Sequence, residues 1–246
     1  MRAPLLVGVS LKAYLSHERG LAWCGAADAV ARAHPAVRDG RVGVFAIPGH
    51  LQLAQAASVF AGGPVRLGAQ DVSDAEPGPY TGEVTAAELA ELGVRIAELG
   101  HAERRARHGE TDEIVAAKAV AAHRHGLVPL VCVGERGEAG EAIRVVAEQT
   151  LAVVTRLPAD AEVLVAYEPV WAIGAEHPAP APHVVAVVEG LRRAVAGRRV
   201  RILYGGSAGP GVLGALHPAV DGVFLGRSAH DPEGLRATLD EAAQLR

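Results

Sequence analysis

Short apolar runs recur along the chain at near-regular intervals. They read LLVGV at 5–9, VGVFA at 42–46, VRLGA at 65–69, VRIAE at 94–98, LVPLVCV at 127–133, VLVAY at 163–167, VRILY at 200–204 and GVFL at 222–225. Each is rich in Val, Leu and Ile and lacks a clean polar face, as parallel strands covered on both sides do. Between them the apolar positions take helical spacing, which predicts helices over 17–34, 50–60, 85–92, 111–125, 138–156, 182–196, 209–216 and 232–245. Start signals support several of these. Thr85 stands three residues before Glu88 as a capping box, Thr111 opens the 111–125 helix, and Pro182 falls near the first turn of the next.

Eight strands alternating with eight helices in 246 residues predict an α/β chain folded as one (β/α)8 barrel domain over 1–246. An open doubly wound sheet is the alternative, but its first turn usually carries Gly-x-Gly-x-x-Gly, and this chain has Val9-Ser10-Leu11-Lys12. No linker rich in Ser and Pro divides the sequence. A barrel concentrates its chemistry just beyond the C-terminal ends of its strands. Those positions hold Ser10 and Lys12, Gln70 and Asp71, His101, Glu135, Glu168, Gly205-Gly206-Ser207 and Gly226-Arg227.

Composition narrows the function classes. Cys24 and Cys132 lie far apart, which excludes a disulfide framework or a zinc ribbon. A net charge of −4 without a basic run argues against a nucleic-acid partner. No apolar stretch reaches the roughly 18 residues of a membrane span, and the start of the chain leads straight into a strand rather than a signal peptide. The expectation is a soluble cytoplasmic enzyme. Only two of the 24 basic residues are lysine, Lys12 and Lys118, which draws attention to Lys12 as a position arginine does not replace.

Glu168 precedes Pro169-Val170-Trp171-Ala172-Ile173-Gly174. A carboxylate set partly in an apolar surround makes a better base, and so hydrophobic a loop suits a lid that excludes water; the plain alternative is a loop glutamate in a surface ion pair. His101 begins a helical turn, where backbone N–H groups disfavour imidazolium and leave a neutral donor; His34, His123 and His125 read as exposed helix or loop residues. Lys12 is the candidate fixed ammonium, with Glu103 as its partner, while Arg104 and Arg105 read as loop-holding residues. The turns at Gly205-Gly206-Ser207 and Gly226-Arg227 let backbone N–H groups meet a phosphate. Gly205-Gly206-Ser207-Ala208-Gly209 also fits a nucleophile elbow with Asp221 and His230 following, but too little chain remains to position that triad. His-Glu-x-x-His is absent and His123 and His125 point to different helix faces, so no metal is expected.

From Val7 to about Ala229 the chain resembles the triosephosphate isomerase family. The resemblance rests on Gly100-His101-Ala102-Glu103-Arg104-Arg105, on Tyr167-Glu168-Pro169-Val170-Trp171-Ala172-Ile173-Gly174, on Tyr204-Gly205-Gly206-Ser207 and on Cys132-Val133-Gly134-Glu135. Gly68-Ala69-Gln70-Asp71 with Tyr80-Thr81-Gly82-Glu83 resembles that family's interdigitating dimer loop. In that family a glutamate base works beside an imidazole kept neutral by a helix N-terminus, under a loop that closes to exclude water. The resemblance implies a cofactor-free aldose–ketose isomerase for dihydroxyacetone phosphate and glyceraldehyde 3-phosphate. Glu168 is then the base, His101 the neutral donor to an enediolate, and Lys12 the positive charge. The N–H groups of Gly174, Gly206, Ser207 and Arg227, with Gly226 beside them, hold phosphate. Residues 169–179 close over the site, and Thr81 enters the partner's site in a homodimer formed through the 70–83 loop.

Four departures from the family pattern stand out. Ser10 stands where Asn is usual and Leu11 where a bulky aromatic is usual, opening room beside Lys12. Arg227 replaces the second glycine of a Gly-Gly pair, Ala102 lacks a hydroxyl, and Ala175-Glu176-His177-Pro178 replaces the usual hinge. Ser10 and Arg227 motivate an alternative substrate, a four-carbon ketose phosphate such as an erythrulose phosphate. A phosphate-binding barrel without catalysis is the remaining alternative.

Overall fold

The computed structural model describes residues 3–137 and 139–245. In chain order the elements are β1 (Leu5–Ser10), α1 (His17–Ala33), α2 (Pro35–Arg38), β2 (Val42–Ile47), α3 (Leu53–Phe60), β3 (Val65–Ala69), α4 (Ala86–Glu91), β4 (Ile96–Leu99) and α5 (Ala102–His108). There follow α6 (Asp112–Arg124), β5 (Val128–Val133), α7 (Ala139–Val154), β6 (Val163–Tyr167), α8 (Ala181–Ala194), β7 (Val200–Tyr204), α9 (Val212–Leu216), β8 (Gly222–Leu225) and α10 (Pro232–Gln244). Single 3-10 turns occupy His50–Gln52, Val170–Ala172 and Arg227–Ala229.

The strands pair in parallel in the order β1 to β8, and β8 returns to β1 with Leu6 opposite Gly222 and Val9 opposite Leu225. This is the (β/α)8 barrel expected from the alternation of runs. Successive side chains of a strand face opposite ways, so each run feeds two cores. Leu6, Phe45, Ile96, Leu130, Leu164, Leu203 and Phe224 fill the barrel, with the rings of Phe45 and Phe224 stacked 5.8 Å apart. Leu5, Val7 and Val9 face the other way and pack with Trp23, Cys24 and Leu239 of the surrounding helices.

Thr85, Thr111 and Asp231 cap their helices by accepting the backbone N–H of Glu88, Ile114 and Glu233. Pro182 lies in the first turn of α8, as its position in the sequence indicated. Elsewhere the boundaries move. The fourth strand is Ile96–Leu99 rather than 94–98, because Val94 already bonds back to Leu89 in the turn after α4. The 50–60 segment divides into a 3-10 turn and α3, and the helical turn expected at His101 extends into α5, which was not among the predicted helices. That short helix buries none of its side chains, so it has no apolar period to reveal it. Of the predicted 138–156 helix, Glu138 lies outside the described residues, as do Met1 and Arg2 at the start of the chain. His34, expected to be exposed, is buried beside Asp240 with Nε2 3.2 Å from Oδ1. Among the described residues no helix is long and apolar enough to cross a membrane.

Candidate active site

The rim beyond the strand C-termini gathers the expected side chains around a cavity of about 500 Å³. Ser10, Lys12, His101, Glu103, Glu168, Gly174, Ser207, Gly226 and Arg227 all line it. Gly206 does not: it is buried behind the wall, where a Cβ would lie 3.1 Å from Pro169 and 3.0 Å from the Tyr204 hydroxyl. Thr81 sits exposed on the 70–83 loop, away from this cavity.

His101 is the N-cap of α5 and accepts the Glu103 backbone N–H at Nδ1, 3.1 Å away. A ring nitrogen that accepts a hydrogen bond carries no proton, so the imidazole is the neutral tautomer protonated at Nε2. The Glu103 carboxylate also lies 3.6 Å from Nδ1, but that lone pair is taken, and Glu103 Oε1 instead meets Lys12 Nζ at 2.9 Å. His101 Nε2 faces Glu168 Oε2 at 3.4 Å, and among the described residues this buried oxygen has no hydrogen-bond partner. A carboxylate oxygen so placed has a lone pair free for a proton.

Two glycines make room for Glu168. A Cβ on Gly205 would come within 2.6 Å of Oε1, and one on Gly134 would meet the Glu168 carbonyl. Lys12 and Ser207 are, among the described residues, the two non-glycines with positive φ, at 49° and 48°. Such conformations persist only where surrounding contacts enforce them, and they cluster at functional sites. Gln70 Nε2 donates to the Lys12 carbonyl at 2.9 Å and holds the first of these turns. Burial works to lower the Lys12 pKa, but the hydrogen bond to Glu103 and the charges of Glu168, Glu103 and Glu98 outweigh it, so the ammonium titrates above its usual range.

Glu98, at the end of β4, escaped the sequence reading because it closes an apolar run. It is buried, and burial pushes its carboxyl up to about 7, the charge of Glu168 adding to this while the hydroxyl of Ser10 and the ammonium of Lys12 oppose it. Ser10 Oγ donates to Glu98 Oε2 at 2.8 Å. Its place near a strand end was the available signal.

Ile173, Gly174, Ala175 and Glu176, from the 169–179 segment expected to act as a lid, line the cavity. The Tyr204 hydroxyl accepts the Ala179 N–H at 2.8 Å, Ser207 Oγ lies 2.7 Å from the Ala172 carbonyl, and Arg227 Nη2 donates to the Gly174 carbonyl at 2.9 Å. At the base of this lid Glu135 accepts from Trp171 Nε1 at 3.0 Å and lies 3.2 Å from His183 Nε2. Glu135 thus anchors the lid. Arg104 bridges Asp71 and Glu110, and Arg105 bridges the Gly100 carbonyl and Asp112, as expected of loop-holding residues. Lys118 is buried between Asp71 and Glu110, at 2.7 and 2.6 Å, where a compact ammonium fits. Burial raises the Asp71 pKa, the Lys118 hydrogen bond opposing it.

The sequence model of Triosephosphate isomerase matches residues 5–242. The chain belongs to the triosephosphate isomerase family. That membership supports an isomerase-type enzyme. Among similar proteins, the L-erythrulose-1-phosphate isomerase of Pectobacterium atrosepticum is 44% identical over 252 residues, covering 98% of this chain and 96% of the relative. A protein of the same name from Rhizobium rhizogenes is 40% identical, covering 86% of each. A Triosephosphate isomerase from Symbiobacterium thermophilum is also 40% identical, covering 83% of this chain and 86% of its own.

Proposed function

We propose that this member of the triosephosphate isomerase family isomerises L-erythrulose 1-phosphate. The observation that carries the reading is the 44% identity to an enzyme of that name along nearly the whole chain. Ser10 agrees with it: the short side chain turns to Glu98 and leaves space where the family usually has Asn. This replaces the triose pair as first reading. The triose pair remains the second reading, favoured by the relative from Symbiobacterium thermophilum.

The chemistry follows from where the charges lie. In a 1-phosphotetrulose the carbonyl is at C2, and C3, on the side away from phosphate, bears a hydrogen and a hydroxyl. Glu168 Oε2 takes the C3 proton, and the electron pair forms the C2–C3 double bond as the carbonyl oxygen becomes an enediolate oxygen. His101 donates from Nε2 to the two oxygens in turn, and Lys12 balances their negative charge. Returning the proton to C2 leaves the carbonyl at C3. The product is therefore another ketose phosphate; a triose, with hydrogen in place of the terminal hydroxymethyl group, would give an aldehyde instead. The N–H groups at Gly174, Ser207 and Arg227 hold phosphate, with Gly226 allowing its approach. Thr81, Gly82 and Tyr80 project on the exposed 70–83 loop, closed at its base by Ser73 N–H to Val84, in keeping with a homodimer formed there.

Purified protein assayed with L-erythrulose 1-phosphate and with dihydroxyacetone phosphate tests the reading. The expected ratio of kcat/KM is about a hundredfold in favour of the tetrulose, the scale on which an active site separates substrates differing by one carbon group. A higher value for the triose overturns it.

A further inference from the structure

Arg227 occupies a position that needs no side chain for phosphate binding, yet its guanidinium reaches across the cavity mouth. Nη2 donates to the carbonyl of Gly174, at the tip of the lid, at 2.9 Å. Gly174, Ser207, Gly226 and Arg227 line the same wall. Arginine presents five N–H donors in a planar fork, and that fork matches phosphate oxygens. The side chain is exposed, so the remaining donors are open to a ligand. His230 nearby titrates low, first through burial and then through the charges of Arg227, Arg19 and Lys12, so the positive field of Arg227 reaches into this corner.

We infer that Arg227 is a positioning residue that ties the lid to the bound phosphate, one edge of its guanidinium on the Gly174 carbonyl and the other on a phosphate oxygen. The inference rests on the reading that the cavity takes a phosphorylated sugar. The tie makes lid opening depend on release of the phosphate. Its consequence concerns the enediolate, which can decay in an open site. There, once the hydroxyl proton has passed to the other oxygen, the enediolate oxygen on the carbon farther from the phosphate re-forms a carbonyl, the double bond shifts to the bond between the former carbonyl carbon and the phosphate-bearing carbon, and the C–O bond to phosphate breaks to release inorganic phosphate. The resulting enol takes a proton at carbon from water, loses its hydroxyl proton and becomes a dicarbonyl. A lid held while phosphate is present suppresses that loss.

The test compares the full-length protein with R227G and R227K. Trp171 lies on the lid and is 47% exposed, whereas Trp23 is 4% exposed, so lid closure on inorganic phosphate is read as a tryptophan fluorescence titration. Its midpoint rises about tenfold in R227G, the scale of one lost charge-assisted hydrogen bond pair, and inorganic phosphate released per isomerisation rises with it. R227K, which keeps charge without the fork, recovers the midpoint in part and leaves the release high. Unchanged midpoint and release in R227G, or a lysine that restores both, overturns the tie. Failure of the unsubstituted protein to turn over either sugar phosphate would sink the functional reading alone, because the fluorescence titration needs no turnover.

Discussion

His101 and Glu168 meet across the barrel mouth with Nε2 3.4 Å from Oε2, while the opposite ring nitrogen is committed to a backbone N–H. The pair therefore divides labour: the carboxylate has a free lone pair, and the imidazole has a proton to lend. His101 cannot take over as base at Nε2 without giving up the α5 cap at Nδ1.

Proton transfer depends on reach, so Glu168→Asp, shorter by one methylene, is expected to lower kcat about a hundredfold while KM changes little. Steady-state kinetics at saturating and limiting substrate check this. A kcat within twofold of the unsubstituted enzyme removes Glu168 from the role of base.

Glu98 imposes a pH dependence on stability. Burial holds its folded pKa at about 7, against 4.5 for a glutamate in water. Between those values the folded protein binds more protons at this site than the unfolded chain, so stability falls as pH rises from 4.5 to 7 and levels off above. Each tenfold change in proton affinity is worth about 1.4 kcal/mol, so the fall attributable to Glu98 is of the order of 3 kcal/mol. Glu98→Gln keeps a partner for the Ser10 hydroxyl and abolishes that fall. Urea denaturation at about pH 5 and about pH 7.5 is the measurement, and an unaltered pH slope in the variant would show that Glu98 ionises normally.

Ser10 controls room beside Lys12. Ser10→Asn adds an amide that occupies this space and competes for Glu98, so the tetrulose-to-triose ratio of kcat/KM is expected to fall about tenfold. Parallel assays on the two substrates decide it. A ratio that stays level assigns the discrimination elsewhere.

Much of this was legible in the chain because the relevant signals are local. A run such as VLVAY needs cover on both faces wherever it lies, and Glu168 follows such a run directly, which in a barrel places it on the rim. His101, Lys12 and the two glycine turns were found in the same way. Proximity across the fold carries no such mark. Lys12 meets Glu103 across 91 positions and Ser10 meets Glu98 across 88, so the state of Glu98 depended on closure of the barrel. The same holds for Gly205, whose missing Cβ is required by a carboxylate 37 residues earlier, and for Arg227, whose side chain reaches a lid 53 positions away. Periodicity and strand-end position report what each segment must bury or present. Desolvation, hydrogen-bond pairing and the space left between side chains arise only once distant segments are brought into contact.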